Sequence, residues 1–115
     1  YGDSMRFGTN PAAEDETDLS KVTCDLNLFE QYTKGFLEEC GSMLTPQEIE
    51  NLPLSAKLMT LECGMRFLAD HIAGDTYFKI HREGHNLDRC RTQLKLVADM
   101  EAKMDTMKQI VEKYR

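Results

Sequence analysis

The C-terminal quarter of the chain constrains the fold most. Leu87, Cys90, Leu94, Val97, Met100, Met104, Met107 and Val111 recur at spacings of three and four residues, which is the signature of a single helical face. With Asn86 as its cap, a helix over 86–113 runs for about 28 residues and is on the order of 40 Å long at ~1.5 Å per residue. An apolar stripe of that length needs partners along its whole course. In a chain of 115 residues those partners come from one domain built around it.

The partners are legible upstream. Leu28, Phe29, Tyr32, Phe36, Leu37 and Cys40 predict a helix over 26–40, with Asp25 as N-cap and Gly41 at its end. Thr45-Pro46-Gln47-Glu48 reads as a capping box with proline at the first helical position. Pro53 lacks an N–H and disfavours helical geometry just before it, so the region divides into a short helix over 46–51 and a longer one over 53–73. Leu54, Leu58, Leu61, Met65, Leu68 and Ile72 form the apolar stripe of the longer helix, and Gly74-Asp75 ends it. Residues 76–84 read as a linker with Tyr77-Phe78 and the run Lys79-Ile80-His81-Arg82. Residues 1–24 lack helical periodicity until their end, and the cluster Glu14-Asp15-Glu16 with Asp18 reads as solvated surface. The expected architecture is all-α, a single domain of about four helices over 25–115 preceded by an irregular arm over 1–24.

A net charge of −6, with Lys and Arg interspersed among Asp and Glu, argues against nucleic acid as a partner. No apolar run approaches the roughly 18 residues of a membrane span. Cys24, Cys40, Cys63 and Cys90 stand apart without a C-x-x-C pair, so they read as reduced thiols in a cytoplasmic protein. No metal site is suggested. His81 and His85 flank Arg82 and Gly84, and the glycine argues against one helix presenting both rings to an ion. His71 falls in the last turn of its helix and reads as a capping or surface residue.

No phosphate loop, nucleophile with its base, or carboxylate pair is recognisable in the sequence. What remains suits a polar ligand. Glu62 and Arg66 stand four apart in the apolar stretch Leu58 to Leu68, as a surface ion pair or as a cation held for a ligand's oxygens. Tyr77 and Phe78 are core aromatics or a face for a sugar ring. Asp99 and Lys103 read as an i,i+4 pair on the outside of the last helix. Its Met-rich stripe reads as core or as a partner site.

Four segments then join: "YGDSMRFGTN" with "AAEDETDLSKV", "LMTLECGMRFLAD", and "GDTYFKIHREGHNLDRCRTQLKLV". In this order they resemble the C-terminal half of bacterial sugar kinases of the aminoglycoside phosphotransferase and choline kinase superfamily, in particular N-acetylhexosamine 1-kinases. The likeness covers essentially the whole chain. It implies a bilobal kinase whose N-terminal lobe binds ATP and whose H-x-D catalytic loop and Mg²⁺-binding Asp precede the segment matching Tyr1. This chain would then be the substrate-side subdomain, without cofactor or catalytic residues of its own. The resemblance also implies that Phe7, Arg66 and Tyr77 line the sugar pocket, and that Asp3 and Arg6 form a structural pair beside it. Other hydroxylated substrates of the superfamily, such as choline, homoserine or an aminoglycoside, are the rivals within the class; a free-standing helical interaction module is the rival outside it. Separated from the other lobe, the chain is expected to self-associate.

Overall fold

The computed structural model describes residues 1–115 and contains no strand. Five α-helices follow in order: α1 (Gly2–Gly8), α2 (Leu26–Cys40), α3 (Pro46–Glu50), α4 (Leu52–Ile72) and α5 (His85–Tyr114), with 3₁₀ turns at Leu19–Lys21 and Gly41–Met43. The four expected helices are present, and α1 is a fifth within the segment read as an irregular arm. Asp25 Oδ1 caps α2 by accepting from the N–H groups of Asn27 and Leu28, at 2.9 and 3.1 Å. Thr45 Oγ1 accepts from Glu48 N–H at 3.2 Å, and Pro53 sits in the first turn of α4, where its missing N–H costs nothing.

Helix α5 is the spine. Its 30 residues set the long dimension of the molecule, whose extents are 45 × 26 × 20 Å. Helix α4 lies antiparallel on it: Gly64 meets Gln93, Thr60 meets Met100, and Lys57 pairs with Glu101 at 2.8 Å. The buried face of α4 is Leu52, Pro53, Ala56, Thr60, Gly64, Phe67 and Asp70. Its middle is small, so the two helices approach closely; a methyl on Gly64 would stand 3.2 Å from Gln93 Cβ.

The leucine stripe read from the sequence is therefore on the other side. Leu54, Leu58, Met65, Leu68 and Ile72 are exposed, Ile72 to 77%. Helix α4 is apolar on two faces, and close approach selected the face with small residues rather than the face with leucines. The methionines of α5 went the other way. Met100 and Met107 are fully buried with Leu96, Phe29, Val22 and Met5 in one core.

Segment 12–24 runs along α5 as a strap. Thr92 Oγ1 donates to Glu16 O at 2.9 Å, and Lys95 Nζ donates to Val22 O at 3.3 Å. Asp99 Oδ2 accepts from Cys24 N–H at 2.6 Å and Thr23 Oγ1 at 2.9 Å, while Lys103 Nζ donates to Cys24 O and Asp99 Oδ2, both at 2.8 Å. The Asp99–Lys103 pair is thus a partly buried lock on the strap rather than an outward pair, and this is a long-range contact that helical spacing cannot reveal. The acidic cluster is likewise engaged: Glu14 binds Arg6, and Asp15 Oδ2 lies 2.7 Å from His85 Nε2. Asn86 does not cap α5. Gly84 does, with φ 73°, and Asn86 is buried inside the first turn, bonded to Asp70 and Asp75. No helix is long and apolar enough to cross a membrane.

Candidate functional site: a cleft between α1, α4 and the α4–α5 loop

Helix α1 reaches its place through a glycine. A Cβ on Gly2 would stand 2.6 Å from Ser55 O and 3.0 Å from Met59 Cγ, so only glycine lets α1 lie this close to α4. At the chain's start, Tyr1 anchors α1 against Phe29, Tyr32 and Phe36, and its hydroxyl shares a 2.9 Å hydrogen bond with Thr33 Oγ1. Burial pushes that hydroxyl's pKa up, so it stays neutral.

Between α1, α4 and the loop before α5 lies a cleft of about 550 Å³. Helix α1 supplies Asp3, Arg6 and Phe7; α4 supplies Met59, Glu62, Cys63, Arg66 and Phe67; Phe78, Lys79, Glu14 and Arg89 complete the wall. Phe7 is largely exposed, with the Arg6 guanidinium 4.1 Å from its ring centre. Arg6 is itself buried, bonded to Glu14, with Nε 3.4 Å from Asp3 Oδ1. Burial alone would lower its pKa, but Glu14 and Asp3 more than restore it and hold the charge fixed. Arg89 is tied down as well: Nη1 donates to Lys79 O at 3.1 Å and to Asn86 Oδ1 at 3.0 Å.

Arg66 is different. It lies half exposed on the rim, 3.6 Å from Glu62 Oε1, with its guanidinium 5.6 and 5.4 Å from the rings of Tyr77 and Phe78. The Tyr77 hydroxyl lies 3.5 Å from Arg66 Nη2, at the outer limit of a hydrogen bond. Arg66 and Glu62 are thus a loosely held surface pair. Tyr77 lines an adjoining groove of about 470 Å³ that shares Arg66 and Phe78 with the main cleft. Phe7 and Arg66 share the main cleft with Asp3 and Arg6, and Tyr77 stands just beyond Arg66.

Sequence reasoning missed Glu14, Met59, Cys63, Phe67, Lys79 and Arg89 as wall residues, and left Phe78 open between core and ligand face. Their signal was faint: Phe67 and Phe78 stack at 4.7 Å from separate elements, and Arg89 points back from α5. His81 and His85 do not share a ligand position. His85 Nδ1 accepts from His81 N–H at 3.2 Å, which places the ring proton on Nε2, facing Asp15. No group of three or more His, Cys, Asp or Glu side chains is arranged to hold a metal ion. Chemically, the cleft offers aromatic faces and a loosely held guanidinium, with the Tyr77 hydroxyl in the adjoining groove, groups of the kind that bind and orient a ligand; the Cys63 thiol in its wall lies 3.8 Å from Glu62 Oε2 and is held protonated by burial. Searched against models of known protein families, the chain matches none.

Proposed function

We propose that this chain is the substrate-binding helical subdomain of an ATP-dependent small-molecule kinase, and that the substrate is an N-acetylhexosamine phosphorylated on its anomeric hydroxyl. The carrying observation is that Phe7 and Arg66, 59 positions apart in sequence, share one cleft with Tyr77 at its edge. In this arrangement the Phe7 ring packs on an apolar sugar face or an N-acetyl methyl, while Arg66 and Tyr77 donate to hydroxyl oxygens and fix the sugar's orientation. Arg6 and Asp3 keep α1 and its phenylalanine in place. The lining carries four cations, Arg6, Arg66, Lys79 and Arg89, against three carboxylates, Asp3, Glu14 and Glu62. That balance favours a neutral sugar over a cationic substrate such as choline or an aminoglycoside; homoserine remains the neutral rival.

The residues present do not fit ATP with Mg²⁺. Asp3 and Glu14 pair with Arg6, and the nest of backbone N–H groups at the cleft's edge, residues 76–78, is filled by the Asp70 carboxylate. Nucleotide and metal belong, in this reading, to the other lobe of the parent kinase, and the exposed α4 stripe is the surface that lobe would cover. The same stripe favours a second reading, a free-standing helical interaction module whose partner face is α4 rather than the buried methionines of α5.

The test is to isolate the native protein carrying this sequence from its source cells, weigh it, and assay ATP-dependent phosphorylation of N-acetylhexosamines. A species well above 13.2 kDa that forms the sugar 1-phosphate is expected, with the 115-residue chain alone releasing no ADP. A native 13.2 kDa species without phosphotransfer would overturn the kinase reading in favour of the module.

A further inference from the structure

The C-terminal end of α4 is organised by one of its own side chains. Asp70 is only 6% exposed. Its Oδ1 accepts from the N–H groups of Thr76 at 3.0 Å and Tyr77 at 2.8 Å. Oδ2 accepts from Phe78 N–H at 3.0 Å and from Asn86 Nδ2 at 2.8 Å. Three successive backbone N–H groups converging on one anion make a nest of the kind that elsewhere binds phosphate; here an aspartate of the chain fills it. Asn86 closes the arrangement, with Nδ2 also donating to Asp75 Oδ1 at 3.0 Å and Oδ1 accepting from Arg89 at 3.0 Å. The Asp75 bond also braces a residue held at φ 61°, next to Gly74 at φ 96°, in the left-handed turn that ends α4.

The consequence falls on Tyr77 and Phe78. Tyr77 is 74% exposed, so little packing holds its ring beside Arg66. Its place is set by its backbone, and the backbone is set by Asp70. Phe78 follows the same constraint onto Phe67 and against Tyr77, with ring centres at 4.7 and 5.0 Å. Each Asp70 oxygen accepts two donors, which uses the roughly four lone-pair sites of a carboxylate. Asp70 has no acceptor capacity left for a ligand, although it borders the groove beside Tyr77.

We infer that Asp70 is the positioning residue of the cleft: by filling the nest of residues 76–78 it fixes the Tyr77–Phe78 wall that faces the ligand beside Arg66. The wall's ordering is independent of ligand identity, but the effect on sugar affinity rests on the proposed function. The informative variant is Asp70→Asn, which keeps the shape but turns an NH₂ toward groups that are themselves donors.

Amide hydrogen exchange and NMR titration with N-acetylglucosamine are read on wild type, Asp70→Asn, Tyr77→Ala and the double variant. In Asp70→Asn, exchange at Thr76, Tyr77 and Phe78 is expected to accelerate at least about tenfold while Leu96 and Met100 in the core keep their protection. Sugar affinity is expected to fall by about tenfold, and adding Asp70→Asn to Tyr77→Ala is expected to lower it much less, because the wall residue it positions is already gone. Unchanged exchange at 76–78, or the same loss of affinity with and without Tyr77, overturns the assignment. If Asp70→Asn does not fold, Asn86→Ala removes one of the four donors and leaves the nest; milder acceleration at 76–78 upholds the assignment and none overturns it. If wild type binds no sugar, the proposed substrate falls, and exchange at 76–78 alone decides for or against Asp70.

Discussion

Gly2→Ala and Gly35→Ala add the same methyl group to two helices, and the structure predicts opposite signs. Gly35 lies in the exposed middle of α2, where an added Cβ meets nothing within 4 Å. The only term is the helical preference of alanine over glycine, so Gly35→Ala stabilises by about 1 kcal/mol. Gly2 is buried, and its added Cβ would stand 2.6 Å from Ser55 O, 2.8 Å from Ser55 C and 3.0 Å from Met59 Cγ. The first two are backbone atoms of α4 and cannot rotate away. Either α1 lifts or the start of α4 shifts, and overpacking of this kind costs about 1–3 kcal/mol. Gly64→Ala belongs between them, since a helix-propensity gain of about 1 kcal/mol opposes a contact of 3.2 Å with Gln93 Cβ. Urea unfolding of the three variants beside wild type reads the order directly from their midpoints, provided the slopes agree. Gly2→Ala should also perturb Arg6 and Phe7, because α1 carries both into the cleft. A Gly2→Ala variant as stable as wild type would refute the close seating of α1 on α4, and with it the cleft.

Stability should fall in acid. Burial pushes the Asp70 and Asp99 carboxyls up, but the N–H nest and Asn86 in one case, and Lys103, Cys24 N–H and Thr23 in the other, outweigh it and hold both below the usual carboxylate range. Asp15 is also lowered, chiefly by its bond to His85. Groups with depressed folded-state pKa values contribute stability above their unfolded value of about 3.9 and lose it as pH falls through the folded value. Urea midpoints should therefore drop below about pH 4, less steeply in Asp99→Asn; identical profiles for Asp99→Asn and wild type would count against the lock on the strap. On α4, Leu58→Glu should change stability by no more than about 0.5 kcal/mol and weaken concentration-dependent self-association, whereas Met100→Ala in the core should cost about 2–5 kcal/mol. Sedimentation and urea unfolding check both, and a strictly monomeric wild type would remove the predicted self-association.

Helices α2 to α5 were legible because their signals are local: the Asp25 and Thr45 caps, the Pro53 break, the Gly74-Asp75 stop and the three-four spacing each act within a turn or two. Helix α1 was not, since its seven residues hold their shape through Gly2 seated on Ser55 and Tyr1 seated among α2 aromatics, contacts far away in sequence. The α4 stripe is legible as periodic, but its spacing does not say which face of the helix α5 covers. Hydrophobicity marks faces that can be buried, whereas Ala56, Thr60 and Gly64 decided which face α5 could approach. Asp99–Lys103 and the acidic cluster were misread for the same reason, because charge spacing does not show a strap crossing from residues 12–24. At the cleft, Arg66 and Tyr77 stand out in the sequence as a cation in an apolar stretch and an aromatic in a linker, whereas Phe7 is named only through a family resemblance. The sequence has no local pattern for Asp70, whose partners lie six to sixteen residues on.

The most direct measurement is amide and side-chain NMR of the 115-residue chain titrated with N-acetylglucosamine, and in parallel with choline and homoserine. Saturable shifts at Phe7, Arg66, Tyr77 and Phe78 with the sugar, and weaker or none with the others, are predicted. No saturable shift with the sugar, or shifts confined to the α4 stripe, would contradict the central claim that this cleft is a sugar site.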